Sequence, residues 1–257
     1  MSIITLISDF GLKDHYVSAL KGAIYSLMPQ VIIVDISHQI EKYNIQSAAY
    51  NLKQVYSSFP KRTVHIIAMN TEFWNTGGYM AVEHDGHFFV AADNGFFSLL
   101  FDEPPLKIIE IPVEEEVIMS FPVRDIFVAI ACKLASGAEL TSLGKPKTKL
   151  REFLPFRASS MGDIIRGTVV YIDSYDNAIT NIDKILFDRV GKGQPFVIEF
   201  AKDYQIERIS RDYNEVPPGE ILALFNSSGF LELAMRNGNI SGLLHLNLNA
   251  PITVNFT

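Results

Sequence analysis

Short apolar runs alternate with helix-like segments near the start of the chain. The runs Ile3–Ile7, Val31–Ile36 and Val64–Met69 have the length and β-branched content of buried strands. Between them, Tyr16–Met28 is predicted to be a helix, and the apolar residues of Ile45–Phe59 recur every three and four positions. This order of elements predicts an α/β domain with a mostly parallel sheet and helices on both faces.

The pattern then changes to strand-like runs that are interrupted by turns. Tyr79–Glu83 and His87–Ala92 flank an Asp-Gly pair, which is a hairpin signal. A short helical segment (Phe96–Phe101), a strand (Lys107–Ile111) and a further helix (Arg124–Ala135) follow. We expect all of them to belong to the same N-terminal domain.

Residues from about 138 to 163 are rich in Gly, Pro, Lys, Thr and Ser, and their periodicity is weak. This stretch predicts a linker between an N-terminal α/β domain, residues 1–155, and a C-terminal domain, residues 164–257. Helical periodicity is nearly absent from the C-terminal domain, whose strand-like runs are Gly167–Ile172, Pro195–Phe200, Ile221–Phe225, Phe230–Ala234, Gly242–Leu248 and Ile252–Phe256. The pattern predicts a small all-β barrel or sandwich.

Composition narrows the functional classes. The chain has 257 residues, of which 48% are hydrophobic, and its net charge is −7. That charge argues against a partner such as nucleic acid or an anionic membrane, because phosphate contacts need clustered Lys and Arg. The densest basic run, Lys145–Arg151, is interpreted as a solvated loop. Cys132, the only cysteine, is predicted to be a buried structural thiol.

Targeting signals are also missing from the sequence. No apolar stretch approaches the roughly 18 residues that a membrane helix needs. The N-terminus shows neither a basic segment nor the apolar region of a signal peptide. We therefore expect a cytoplasmic protein.

A carboxylate stands at the end of the first predicted strand. Asp9 follows Ile3–Ile7 and precedes Gly11, and the carboxyl ends of strands are where open α/β sheets bind ligands. A carboxylate at this point can accept two hydrogen bonds from a diol such as a ribose. Asp9 can equally cap the turn or the helix that follows it. The local sequence leaves both interpretations open.

Two further polar clusters lie in the predicted β domain. Asp173 is suited to a cationic amine, and the amide of Asn177 is suited to the edge of a base. The turn Asn226-Ser227-Ser228-Gly229 offers hydroxyls and backbone N–H groups to a carboxylate. Tight turns explain both clusters as well, because Asp and Asn side chains bond to their own backbone.

Four histidines raise the question of a metal: His38, His65, His84 and His87. No HExxH, CxxC or HxH spacing accompanies them, so we predict no metal site. We interpret the histidines that bracket the hairpin, His84 and His87, as exposed turn residues. A Gly-x-Ser-x-Gly elbow and a Cys–His pair are also absent from the sequence, so nothing in it predicts covalent catalysis.

Six motifs occur in one order along nearly the whole chain: ITLISDFGLKDHYVSALKG, VDISHQIEKYNIQSAAY, ADNG, RDIF, YIDSYDNAITNI and NSSGFLELA. Together they resemble the S-adenosylmethionine (SAM) hydroxide adenosyltransferase family, whose relatives include fluorinating and chlorinating enzymes. The resemblance implies substitution by water at the ribose C5′ of SAM, which gives adenosine and L-methionine without a cofactor. It also implies a homotrimer, with each site between the first domain of one subunit and the second domain of its neighbour.

The resemblance implies roles for the residues that match these motifs. Asp9 would bind the ribose hydroxyls, and Tyr43 would pack on the ribose or the adenine. Asp173 and Ser227 would hold the methionine end of the ligand. The other ligand-binding residues would surround the adenine, with side chains from Tyr175, Asn177 and Tyr213 and backbone groups near Ser228 and Met235.

The chain departs from the family where the chemistry takes place. The hydrolases carry an Asp, an Arg and a His at positions that are Asn70, Gly77 and Pro122 in this sequence. Asn70 can orient a water molecule but cannot take its proton, and the loss of a general base costs about 10² to 10⁴ in rate. Glu72 is the nearby acid that can replace the base, unless it points to solvent at the turn. Halide chemistry is poorly supported, because large Phe73 and its neighbour Trp74 replace a small Gly-rich turn.

Two hypotheses follow from these substitutions. In the first, the protein hydrolyses SAM with an altered set of water-activating residues. In the second, it is a catalytically impaired protein that binds adenosine or SAM on the same fold.

Overall fold

A computed structural model describes residues 2–72, 76–113, 120–154, 157–202 and 204–257. The chain divides into two compact units, Met1–Leu154 and Pro155–Thr257. Within the described ranges, no helix combines the length and the apolar character that crossing a membrane requires.

The N-terminal unit is built on a seven-stranded sheet. Its strands, numbered in chain order, are β1 (Ile3–Ser8), β2 (Ile32–Ser37), β3 (Val64–Ala68), β4 (Tyr79–His84), β5 (His87–Ala92), β6 (Lys107–Glu110) and β7 (Lys145–Pro146). They lie in the order β2-β1-β3-β5-β4-β6-β7. The first four strands of this order are parallel, whereas β4, β6 and β7 are each antiparallel to their neighbours.

Helices cover both faces of this sheet, as the sequence predicted. They are α1 (Tyr16–Leu27), α2 (Ile45–Val55, continued by a 3₁₀ turn at Tyr56–Ser58), α3 (Phe96–Leu100) and α4 (Val128–Ala135, preceded by a π-helical turn at Val123–Phe127). Strand β1 shows why two layers form, because successive side chains of a strand point to opposite faces. Ile4 and Leu6 pack in one core with α1 and α4, and Ile7 packs in the other with α2 and α3.

The C-terminal unit contains a nine-stranded, nearly closed, barrel-like sheet, which confirms the predicted β architecture. Its strands are β8 (Ser159–Met161), β9 (Ile164–Ile172), β10 (Ala178–Asp183), β11 (Phe196–Phe200), β12 (Tyr204–Ile206), β13 (Ile209–Ser210), β14 (Ile221–Phe225), β15 (Phe230–Met235) and β16 (Pro251–Phe256). Apart from the parallel pair β13 and β14, the paired strands described in this unit are antiparallel.

Two short helices of this unit differ from the sequence-based expectation. The predicted strand Gly242–Leu248 is wrong, because helix α6 occupies Ile240–Leu244. Helix α5, Lys184–Gly191, was not predicted. Each helix is preceded by a capping residue whose side chain accepts a hydrogen bond from a backbone N–H of the first turn. The capping residues are Asp183 for α5 and Asn239 for α6. Such caps satisfy backbone N–H groups that would otherwise lack partners, and they favour short helices without strong periodicity.

The run Lys145–Arg151 is not simply a solvated loop. Its first two residues form β7 at the edge of the sheet. The ammonium group of Lys147 donates a hydrogen bond to the carbonyl oxygen of Gly77 (2.8 Å) and lies 3.5 Å from Oδ2 of the buried Asp93. This run therefore helps to stabilise the edge of the N-terminal sheet.

The interpretation of His87 as an exposed turn residue is wrong, because His87 is fully buried and His84 is half-buried against the ring of Phe101. Nδ1 of His87 lies 3.4 Å from Nε2 of His65, which is buried as well. Desolvation by burial, with a smaller contribution from His87, lowers the pKa of His65 to about 3. Across the residues that the structure describes, no group of three or more His, Cys, Asp or Glu side chains is placed to hold a metal ion.

Candidate functional site

Two side chains at the carboxyl ends of neighbouring parallel strands bond to the backbone of the same residue. Asp9, after β1, accepts a hydrogen bond at Oδ2 from the backbone N–H of Tyr43 (2.9 Å). Asn70, after β3, donates one from Nδ2 to the carbonyl oxygen of Tyr43 (3.2 Å). Tyr43 has a φ of 65°, an uncommon conformation for a residue other than Gly, and these two bonds stabilise it. Asp9 therefore holds a residue 34 positions away and does not cap helix α1, which begins without a side-chain cap, and this contact does not exclude ligand binding through Oδ1.

A cavity of about 460 Å³ opens beside this peptide, within the usual size of small-molecule sites. The ring of Tyr43, which is 69% exposed, forms part of its wall. Three acidic side chains line the cavity, Asp9, Asp14 and Glu72, against one basic side chain, Lys42. Because opposite charges attract, this lining favours a ligand that carries a positive charge.

The structure shows the surroundings of the three positions at which the sequence is predicted to depart from the hydrolases. Asn70 Oδ1 is buried and has no hydrogen-bond partner within the described part of the chain. Gly77 has no room for a side chain, since even a Cβ atom would come within 2.5 Å of Asp93 Oδ2. Pro122 lines the cavity but has no donor of its own. The acid Glu72 both lines the cavity and is exposed, so the two alternatives for it coexist. Phe73–Trp74, the predicted change to the turn, lies outside the described residues.

In the C-terminal unit, Asp173 closes the hairpin between β9 and β10. Its Oδ1 accepts from the backbone N–H groups of Tyr175 and Asn177 (both 2.9 Å), and its Oδ2 accepts from Nδ2 of Asn177 (3.1 Å). The tight-turn explanation for this cluster is thus correct as far as the local structure goes. Asn177 is buried, whereas the ring of Tyr175 is 79% exposed and available to a ligand.

The second polar cluster of this unit is organised by a residue that the sequence did not single out. Glu232, on β15, is only 3% exposed. Its carboxylate accepts hydrogen bonds from the hydroxyl of Tyr213 (2.6 Å) and from Nδ2 of Asn226 (3.2 Å). Asn226 Oδ1 in turn accepts from the backbone N–H groups of Ser228 and Phe230 (3.0 and 3.2 Å). Successive side chains of a strand point to opposite faces, so Glu232 lies on the face opposite to the two leucines of β15. This alternation is typical of an exposed residue, and no sequence signal marked Glu232 as buried.

Burial dominates the electrostatics of this cluster. Desolvation raises the pKa of Glu232, although its bonds with Tyr213 and Asn226 act in the opposite direction. Desolvation and the carboxylate of Glu232 also raise the pKa of Tyr213. The Tyr213 hydroxyl therefore stays protonated and remains a donor to Glu232.

The predicted ligand residues of this unit fall at two ends of one strand. Ser227 and Ser228 precede β15 in the hairpin turn, and Met235 ends it. Asp173 and Asn177 are close to the Met235 end, because Ala178 pairs with Leu233. A six-residue strand separates its ends by about 17 Å. Beyond the effect of desolvation, the Asp173 carboxylate is nevertheless near enough to raise the pKa of Glu232, so this group reaches toward the middle of the strand.

Comparison with known proteins places the chain in a family. A model of the SAM hydroxide adenosyltransferase N-terminal domain matches residues 4–144, and a model of the C-terminal domain matches residues 167–253. The chain belongs to the SAM hydroxide adenosyltransferase family, which confirms the resemblance carried by its motifs.

Individual relatives agree with this assignment along the full length. The chain is 29% identical to the (R)-S-adenosyl-L-methionine hydrolase of Methanocaldococcus jannaschii, over 96% of this chain and 93% of that protein. It is 23% identical to a fluorinase from Actinoplanes sp., over 99% and 97% of the two chains. The fold is also similar to the crystal structure of an uncharacterized conserved protein from Thermotoga maritima, with a TM-score of 0.89, 25% identity and coverage of 98% and 99%.

Proposed function

We propose that the protein binds an adenosyl compound in the cavity beside Asp9, and that SAM is the expected ligand. The observation that carries the proposal is a carboxylate at the end of β1 in a cavity whose charged lining residues are three acids and one lysine. One carboxylate oxygen of Asp9 holds Tyr43, and the two lone pairs of the other can accept from both hydroxyls of a ribose. The acidic lining suits the positive sulfonium of SAM, and the exposed ring of Tyr43 offers a surface for stacking.

We propose further that the C-terminal residues complete the site. Asp173 and Ser227 would contact the methionine end, and Tyr175, Asn177 and Tyr213 the adenine, with Ser228 and Met235 contributing backbone groups. These roles come from the family motifs. So does the proposed homotrimer, whose sites lie between subunits. We also propose a cytoplasmic location, on the sequence features given above.

The proposed reaction is hydrolysis at C5′. A water oxygen attacks C5′ of the ribose, the C5′–S bond breaks, and its electron pair stays on sulfur. Neutral L-methionine leaves, adenosine forms, and one proton of the water must pass to a base. Asn70 cannot accept this proton, whereas Glu72 lines the cavity and can. The proposed water-activating set is therefore Glu72 with Asn70 as an orienting group.

A second candidate function is binding without turnover. It is favoured by Asn70, whose amide is committed to the carbonyl oxygen of Tyr43, and by the closed packing at Gly77. At both positions, this chain lacks the side chain that the family resemblance assigns to the hydrolases. In this case the protein would retain adenosine or SAM without cleaving it.

One experiment separates the two candidates. Purified protein is incubated with SAM, adenosine and methionine are followed by chromatography, and adenosine binding is measured by calorimetry. Equimolar release of adenosine and methionine above the uncatalysed rate would establish hydrolysis and exclude the binding-only function. Binding without release would establish the second candidate. Binding of neither ligand would refute both.

Two variants test the role of Asp9 within the same measurement. We expect Asp9→Ala to weaken adenosine binding at least 100-fold, because two hydrogen bonds to a charged acceptor contribute about 1.5–3 kcal/mol each. Asn70→Ala removes one neutral bond of about 0.5–1.5 kcal/mol and should weaken binding no more than about tenfold. Equal losses would contradict this division of roles. Thermal unfolding of both variants checks that the fold persists.

A further inference from the structure

A buried hydroxyl, an imidazole and a carboxylate form a line behind the Asp9 turn. Ser8 Oγ lies 2.6 Å from Nδ1 of His38, and Nε2 of His38 lies 3.1 Å from Oδ1 of Asp35. Ser8 is fully buried and His38 is 4% exposed, whereas the side chain of Asp35 is 37% exposed and pairs with Lys21. The line therefore runs from the surface to the residue that precedes Asp9.

This serine is not a nucleophile despite its two partners. Ser8 is the last residue of β1, pairs with Ala68 of β3 and has no surface open to a substrate. It is also absent from the lining of the cavity. A hydroxyl in this position can act only on its protein neighbours.

The directions of the hydrogen bonds follow from Asp35. The Nε2 atom of His38 must carry the ring proton, because a lone pair 3.1 Å from a carboxylate oxygen would be repelled. The contact is not aligned well enough for a full hydrogen bond, so the attraction is between the Nε2–H dipole and the carboxylate. The other ring nitrogen, Nδ1, then has a lone pair and accepts the proton of the Ser8 hydroxyl.

Because the Ser8 hydroxyl donates its proton to His38, its oxygen can accept hydrogen bonds from backbone N–H groups of the turn. The N–H of Phe10 points to Ser8 Oγ (3.4 Å), and the N–H of Gly11 donates to the carbonyl oxygen of His38 (2.7 Å). His38 thus contacts the turn on both sides of Asp9. Its ring bonds to Ser8, before Asp9, and its carbonyl oxygen accepts from Gly11, after Asp9. Gly11 has a φ of 70°, so this path of the chain suits a glycine.

We propose that His38, its tautomer fixed by Asp35, is a positioning residue that holds the Asp9 carboxylate ready for a ribose diol. The inference rests on the proposed function for the choice of ligand. The geometry of the turn is a property of the chain itself, so it can be tested separately.

The fold contains a matched control for this line. Thr5 Oγ1, on the same strand, lies 2.7 Å from Nδ1 of the buried His65. Thr5 and Ser8 are equally buried, and each pairs with an imidazole. Only Ser8 adjoins the turn that carries Asp9.

The first test reads the tautomer in the full-length protein. Nitrogen-15 NMR of the histidine rings should show His38 with its proton on Nε2, and Asp35→Ala should shift the population toward Nδ1–H. Ser8→Ala should raise the hydrogen-exchange rate of the Phe10 amide, whereas Thr5→Val should leave it unchanged. A proton on Nδ1 in the wild type, or unchanged exchange in Ser8→Ala, would overturn the proposal.

The second test measures adenosine affinity by calorimetry. Ser8→Ala and His38→Ala should weaken binding about tenfold, as expected when one hydrogen bond that orders the site is lost. Thr5→Val should change it less than twofold, and His38→Asn, which keeps an acceptor near the Nδ1 position, should recover part of the loss. Equal effects of Ser8→Ala and Thr5→Val would show that His38 contributes only to general stability, and they would overturn its positioning role. If the wild type binds neither adenosine nor SAM, the proposed function fails, and the NMR test still decides the positioning role.

Discussion

The buried histidine His65 makes the N-terminal unit sensitive to acid. Its ring is fully buried, stacks on Phe89 with centroids 4.7 Å apart, and pairs with Thr5. We consider the double variant Thr5→Val, His65→Phe. Phenylalanine keeps a ring against Phe89, and valine leaves no hydroxyl without a partner.

The size of the effect follows from the pKa of His65, which is lowered from 6.5 to about 3 in the folded protein. Between these values the unfolded chain binds a proton that the folded protein does not, so the free energy of unfolding falls as the pH falls. Each pH unit below 6.5 removes about 1.4 kcal/mol. At pH 4.5 the loss from this one group is about 3 kcal/mol. At pH 7.5 the group contributes almost nothing.

The assay is urea unfolding followed by circular dichroism at several pH values between 7.5 and 4.5. The double variant should lose about 3 kcal/mol less than the wild type over this range, whatever its stability at pH 7.5. His15→Gln, which removes an exposed histidine, serves as the control for the change in histidine content. Parallel curves for the wild type and the double variant would refute the argument.

Three further predictions concern single positions. Glu232→Gln should destabilise the C-terminal unit by about 1–3 kcal/mol in urea, because one of the two donors then faces an amide N–H instead of a carboxylate. Gly77→Ala should cost about 1–3 kcal/mol by the same measurement, because its Cβ would collide with Asp93 unless the backbone shifts. Asn70→Asp should weaken adenosine binding in calorimetry, because a carboxylate cannot donate to the carbonyl oxygen of Tyr43.

The N-terminal architecture was predictable because its elements are long or fully buried. Strands such as β3, Val64–Ala68, are buried throughout and mostly apolar, and the apolar spacing of α2 extends over three turns. The short helices α5 and α6 were not predictable in this way. Their stability comes from a capping side chain and from packing on the barrel, and the leucines of Ile240–Leu244 fit a strand pattern as well as a helix.

The candidate site was predictable only in part, for a similar reason. Asp9 could be proposed as a candidate because a carboxylate after a buried strand is a local signal. Its partner Tyr43 is 34 residues away, and nothing local to either residue indicates their contact. Glu232 was missed because its partners lie 6 and 19 residues away along the chain. Contacts between distant residues decide which polar side chains are committed to the protein and which remain free for a ligand.

The peptide of Tyr43 connects ligand binding with the altered chemistry. Asp9 holds its N–H and Asn70 holds its carbonyl oxygen, so the conformation of this residue depends on one acceptor and one donor. Aspartate at position 70 would supply a base but would bring a second carboxylate against a carbonyl oxygen. The asparagine therefore favours an ordered cavity over proton transfer. Under the binding-only proposal, the asparagine that orders the proposed ligand site is also the residue that removes turnover.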